Sequence, residues 1–140
     1  MNMKAPDYPH QDNQQESIFN KVNLLKNLDP HLQTVEKDLA YKAYILSFNF
    51  GTAITTVKIN IEEKDTAVVI TNMTTLPEKE VGGGHGTAAV QTIVQWAKEQ
   101  GFTKIVAAQV QNDESEKFWT KNGFEKAANN EQSGDFVYVQ

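Results

Sequence analysis

The chain has 140 residues and a mass of 15.7 kDa, the size of one domain with a single core. Its net charge of −5 gives no overall cationic footprint for nucleic acid or anionic lipid; no apolar run is long enough for a membrane span and the polar start shows no leader pattern, so a cytoplasmic protein is expected. Cysteine is absent, which excludes disulfides, thiolate metal sites and a cysteine nucleophile.

Residues 1–13 are polar, contain Pro6 and Pro9, and carry no periodic apolar pattern, so a flexible tail is expected ahead of one domain over 14–140. From Gln14, the apolar residues Ile18, Val22, Leu25 and Leu28 recur at helical spacing. Asp29 suits an N-cap and Pro30 a first helical position, and Leu32, Val35 and Leu39 supply the stripe of a second short helix. Three runs rich in β-branched and aromatic residues lie between Tyr41 and Leu76, broken at Gly51 and at Glu62 to Asp65, and read as an antiparallel meander. Gly86 to Gln100 returns to helical spacing, with Gly101 as the residue that ends it. Lys104 to Val110 reads as a strand parallel to the one ending near Leu76, which completes a strand–helix–strand crossover. A short helix over Ser115 to Lys121 stops at Asn122-Gly123, and the remainder forms a hairpin turning near Ser133-Gly134. The fold class is α/β with a mixed sheet.

Gly82, Gly83, Gly84 and Gly86 fall between a strand and a helix. Without Cβ atoms the backbone there can turn tightly, approach a ligand, and converge its amides on a phosphate at the positive end of the helix dipole. Spacing tests the alternatives. A Walker A loop needs Gly-Lys-Ser or Gly-Lys-Thr, whereas Gly86 is followed by Thr87. Gly84, Gly86 and Ala89 satisfy the dinucleotide pattern, but Lys104 and Ile105 stand where its acidic residue belongs. His10, His31 and His85 are too dispersed for a metal-ligand spacing, so no metal is expected.

The stretch from Gly84 through Gly86-Thr87-Ala88-Ala89 to Gly101 resembles the coenzyme A loop and helix of the GNAT family of N-acetyltransferases. A second motif follows in order: Asn112, Ser115, Phe118, Trp119, Lys121, Gly123 and Phe124 fit the family pattern Asn, x2, Ala or Ser, x2, Phe-Tyr, x3, Gly-Phe. The resemblance implies a mostly antiparallel sheet with a splayed parallel strand pair and flanking helices. It implies acetyl-CoA as co-substrate and a primary amine as acceptor. The implied coenzyme contacts are Thr74, Thr75 and Leu76 on the strand, Val81, Gly82, Gly83, Gly84, His85, Gly86 and Thr87 in the loop, and Asn112, Ser115 and Trp119 beyond it.

Two positions depart from the family pattern. Val81 replaces Gln or Arg at the head of the loop motif, and Trp119 replaces the tyrosine that protonates the departing thiolate. Indole can donate a hydrogen bond but does not titrate in the accessible range; Tyr138 is a candidate substitute. No general base announces itself among Glu62, Glu63, Glu78, Glu80 and His85, and His85 at the variable loop position reads as surface-exposed. The family's first strand has no counterpart before Gln14, so the acceptor side is expected to be reduced or completed by a second subunit in a homodimer. Two functions are therefore carried: an acetyltransferase acting on an amine, whether small or on a protein, and a non-catalytic acyl-CoA-binding or regulatory module.

Overall fold

The computed structural model describes residues 17–38, 40, 42–64 and 66–139. The expected tail over 1–13 and residues 14–16 of the first expected helix lie outside them. The described chain opens with a helical segment α1 (17–23) and one further turn α2 (Leu25–Leu28). Four strands follow: β1 (Leu32–Asp38), β2 (Ala43–Asn49), β3 (Ile54–Glu62) and β4 (Ala67–Leu76). A short 3₁₀ turn (Glu78–Glu80) leads into α3 (His85–Glu99), then β5 (Lys104–Ala107), α4 (Asp113–Lys121), β6 (Glu125–Lys126), α5 (Asn130–Ser133) and β7 (Phe136–Val139). The seven strands form one sheet in the order β1-β2-β3-β4-β5-β7-β6. Only β4 and β5 run parallel, joined across α3. No helix among the described residues is long and apolar enough to cross a membrane.

The mixed sheet, the meander, the crossover and the closing hairpin agree with the sequence expectation, the hairpin carrying α5 in its connection. The second helix does not: Leu32 to Asp38 is a strand, so the meander has four strands rather than three. The cause lies in the register. Gln33 is an extra residue between the pairs Leu32↔Phe48 and Thr34↔Ser47. Such a bulge puts Leu32 and Val35, three apart, on the same buried side, which imitates helical spacing. Asp29 does not cap a helix either; its Oδ1 accepts from the backbone N–H of His31 at 2.9 Å in a side-chain turn that aims the chain into β1.

One face of the sheet carries the core. Tyr44, Leu46 and Phe48 of β2, Val57 and Ile59 of β3, and Val68 and Ile70 of β4 are buried together with Val90, Ile93, Val94 and Ala97 of α3. Val22 and Leu25 bring the N-terminal helices onto the same cluster, and the indole N–H of Trp96 donates to the Lys21 carbonyl at 2.8 Å, fastening α1 to α3. The opposite face is polar: Thr34, Ser47, Thr56 and Thr74 lie in one row across β1 to β4, and none of them is buried.

Asp29, 7% exposed, links these parts, since Oδ1 also meets His31 Nδ1 at 2.9 Å and Oδ2 accepts from the Thr92 hydroxyl of α3 at 2.8 Å. Burial opposes its ionisation, but the bonds from the His31 backbone, the Thr92 hydroxyl and the His31 ring outweigh that and hold the carboxyl below its ordinary value. A lowered folded-state pKa adds stability that is present above the unfolded value and lost as pH falls through the folded one. Asp29→Ala is therefore expected to cost about 1.5–3 kcal/mol at neutral pH in urea unfolding. The gap to the parent protein should narrow below pH 3.8; a gap that is the same at pH 7 and pH 3 would show that the charge contributes nothing.

Candidate functional site

β4 and β5 pair over four residues only, from Ala67↔Lys104 to Ile70↔Ala107, with one further bond from Ala108 N–H to the Ile70 carbonyl. β5 then ends while β4 continues to Leu76 along β3. The parting is built into β4 by a bulge: Lys58 pairs with Asn72 and Ile59 with Ile70, leaving Thr71 as the extra residue, which bends the strand at the point of divergence. The other wall is held back separately. Gln109 takes a left-handed backbone (φ 56°) with its N–H on Asp135 Oδ1, and Val110 N–H donates to the Gly134 carbonyl.

The gap is a cleft of about 990 Å³. Its β4 wall runs from Ile70 to Leu76, its β5 wall from Ala108 to Asn112, and its helical wall comprises Gly86 and Thr87 of α3 with Glu114, Ser115, Phe118, Trp119 and Lys121 of α4. Past Ile70 the free edge of β4 has no strand beside it among the described residues, and this stretch lines the cleft. At the mouth, Gly82 and Gly84 both have φ near +91°, a conformation that costs an L-residue with a Cβ roughly 1–2 kcal/mol. Gly86 is needed for a different reason, because a Cβ there would come within 3.3 Å of the Phe118 ring and 3.4 Å of Met73 Cε. The amides of Gly82, Gly84, His85, Gly86 and Thr87 meet no acceptor among the described residues, and the Gly84 N-cap offers no side chain to them. Five donors thus sit at the positive end of a 15-residue helix.

Eleven of the thirteen residues expected at the site line the cleft: Thr74, Thr75, Leu76, Val81, Gly82, Gly84, Gly86, Thr87, Asn112, Ser115 and Trp119. Gly83 and His85 do not. The His85 ring folds back beside Gly83, stacks on Phe50 at 5.0 Å and brings Nε2 to 3.3 Å from Glu80 Oε1, so it is half-buried rather than surface-exposed. Sequence could not place Phe50 beside the loop, since 34 positions separate it from Gly84. Asn112 lines the cleft and is the N-cap of α4; its Oδ1 accepts from Ser115 N–H at 2.8 Å. Thr71, Met73, Gln109, Phe118 and Lys121 also line the cleft and were not among the expected contacts. Tyr138 is not among the lining residues; its ring packs on Phe124 at 5.5 Å.

A model of the acetyltransferase (GNAT) family matches residues 7–124. No curated protein matches the sequence significantly. Among solved structures, the PaiA N-acetyltransferase of Thermoplasma acidophilum, in complex with coenzyme A, superposes with a TM-score of 0.57 at 15% identity, over 99% of this chain and 81% of its own. The IAA acetyltransferase from Bacillus cereus gives 0.56 at 15% identity, over 84% and 91%. A domain from Methanocaldococcus jannaschii gives 0.52 at 18% identity, over 69% of this chain, which spans 63% of that domain. At these identities the likenesses show the fold.

The two helices of the cleft are tied by Asn122, 4% exposed. Its amide donates to the Phe118 carbonyl at 2.8 Å and to Thr87 Oγ1 at 3.3 Å, and its Oδ1 accepts from Gln91 Nε2 at 3.1 Å. Replacement by Leu strands these partners, and Asn122→Leu is expected to lose about 1–3 kcal/mol. An unchanged urea midpoint would show that apolar contact alone holds α3 to α4.

Proposed function

Since the chain belongs to the acetyltransferase (GNAT) family, we propose that it binds acetyl-CoA in the cleft between β4 and β5 and transfers the acetyl group to a primary amine. The observation that carries this reading is the continuity of the five open amides with the unpaired edge of β4. The amides suit a pyrophosphate. From Leu76 back to Thr71, five steps of about 3.3 Å give an extended edge of about 17 Å on which the amide groups of a pantetheine arm can pair like an added strand. That arm brings the thioester to the bulge, where β4 and β5 part. There the amine nitrogen attacks the carbonyl carbon, free amides of β4 stabilise the oxyanion, and the C–S bond breaks to release thiolate. The Thr87 hydroxyl accepts from Asn122 and keeps its own hydrogen for a phosphate oxygen. Val81, 64% exposed at the mouth, adds apolar contact and no charge.

A second reading, a non-catalytic acyl-CoA-binding module of the same fold, is favoured by one observation. Where β4 and β5 part, the lining residues Ile70, Thr71, Asn72 and Ala108 carry no group that titrates in the working range. Calorimetric titration with acetyl-CoA tests what both readings share, and thiol release against polyamines, amino acids and lysine peptides divides them. Thr87→Glu is expected to weaken acetyl-CoA about tenfold by charge repulsion. Its thermal stability should hold, because an acid suits the first turn of a helix. Failure of the parent protein to bind acetyl-CoA would overturn both readings.

A further inference from the structure

The loop that bears the open amides contains three consecutive glycines, Gly82, Gly83 and Gly84, the residue type with the most backbone freedom to lose on ordering. Backbone bonds close only its first part: Val81 N–H donates to the Glu78 carbonyl at 3.0 Å and Gly83 N–H to the Glu80 carbonyl at 3.1 Å. The next restraint comes from a side chain. The His85 ring turns back over Gly83, where a Cβ would lie 3.5 Å from Nε2, and the same nitrogen stands 3.3 Å from Glu80 Oε1. Its flat side meets Phe50, with 5.0 Å between ring centres and 27° between planes.

Phe50 is itself held. Its N–H donates to the Ala53 carbonyl at 2.8 Å in the turn between β2 and β3, and its ring stacks 6.3 Å from that of the buried Phe48. His31 packs on Phe50 at 4.9 Å, and Asp29 joins His31 at 2.9 Å to the Thr92 hydroxyl of α3 at 2.8 Å. The contacts form a circuit that leaves α3 at Thr92 and returns to it at His85, about two helical turns earlier. Neither Phe50 nor His85 lines the cleft, so the circuit grips the loop from outside the place where a ligand would sit.

We infer that Phe50 is a positioning residue for coenzyme binding: stacked on His85, it holds the glycine loop and its open amides in one shape before the coenzyme arrives. The inference rests on the coenzyme occupying the cleft. A loop ordered by the fold binds a pyrophosphate without giving up further freedom, whereas a loop released from Phe50 must be ordered by the ligand, and affinity falls accordingly. Phe50 acts only through His85 and touches no reacting atom.

Two readouts test this on the parent protein, Phe50→Ala and Phe50→Tyr: amide nitrogen relaxation by NMR on the free protein, and calorimetric titration with acetyl-CoA. In the parent protein the order parameters of the three loop glycines are expected near the rigid value of about 0.85. In Phe50→Ala they should fall below about 0.6, and acetyl-CoA should bind about tenfold more weakly. Phe50→Tyr keeps the stacked ring and should restore both. A merely structural Phe50 would lower the melting temperature of Phe50→Ala and leave loop order and affinity unchanged, which would overturn the proposal. A mobile loop with unchanged affinity, a weakened affinity with a rigid loop, or a loop already mobile in the parent protein would overturn it equally and leave the coenzyme reading standing. Should Phe50→Ala fail to fold, His85→Ala removes the same stack from the loop side and is judged by the same two readouts. No binding of acetyl-CoA by the parent protein would overturn the coenzyme reading and the proposal with it.

Discussion

The parallel pairing of β4 with β5 is held by four residue pairs, and the rest of the molecule is arranged around its stopping there. A parallel pair needs a crossover, and α3 supplies it, so the helix begins beyond the end of β4, at the mouth of the gap that the parting strands leave. The free edge of β4 and the free amides of α3 are two forms of the same unmet demand: peptide groups that the fold has oriented and left without partners. Such an arrangement is tolerable only beside water or a ligand.

Keeping the gap open requires restraint on both sides. β4 keeps its full pairing to β3, with the irregularity confined to Thr71. The opposite wall is tied to the start of β7 through Asp135 and Gly134, at the cost of a left-handed Gln109. Beneath the mouth, Asn122 joins Thr87 and Gln91 of α3 to the end of α4, while His85, Phe50 and Glu80 brace the loop from behind. Apart from His85 with Glu80, five positions apart, each of these contacts brings together residues distant in sequence.

That distance marks what could be read from the sequence. The α3 helix, the glycine turn and the order of the crossover were legible because local spacing and backbone freedom dictate them. The cleft residues contributed by the loop and by Asn112, Ser115 and Trp119 were legible through two ordered motifs. β1 was misread because the bulge at Gln33 gave a strand the spacing of a helix, and a bulge is set by the partner strand, not by the residues that form it. The environment of His85 was misread because Phe50 reaches it from the end of β2. Thr71 escaped notice for the same reason, since its distinction lies in having no opposite number on β3.

Among the described residues, the row of Thr34, Ser47, Thr56 and Thr74 lies on the side of the sheet away from the buried core and is not buried. A slot between two diverging strands passes through the whole thickness of a sheet. Where one side is uncovered, such a slot is a window rather than a pit.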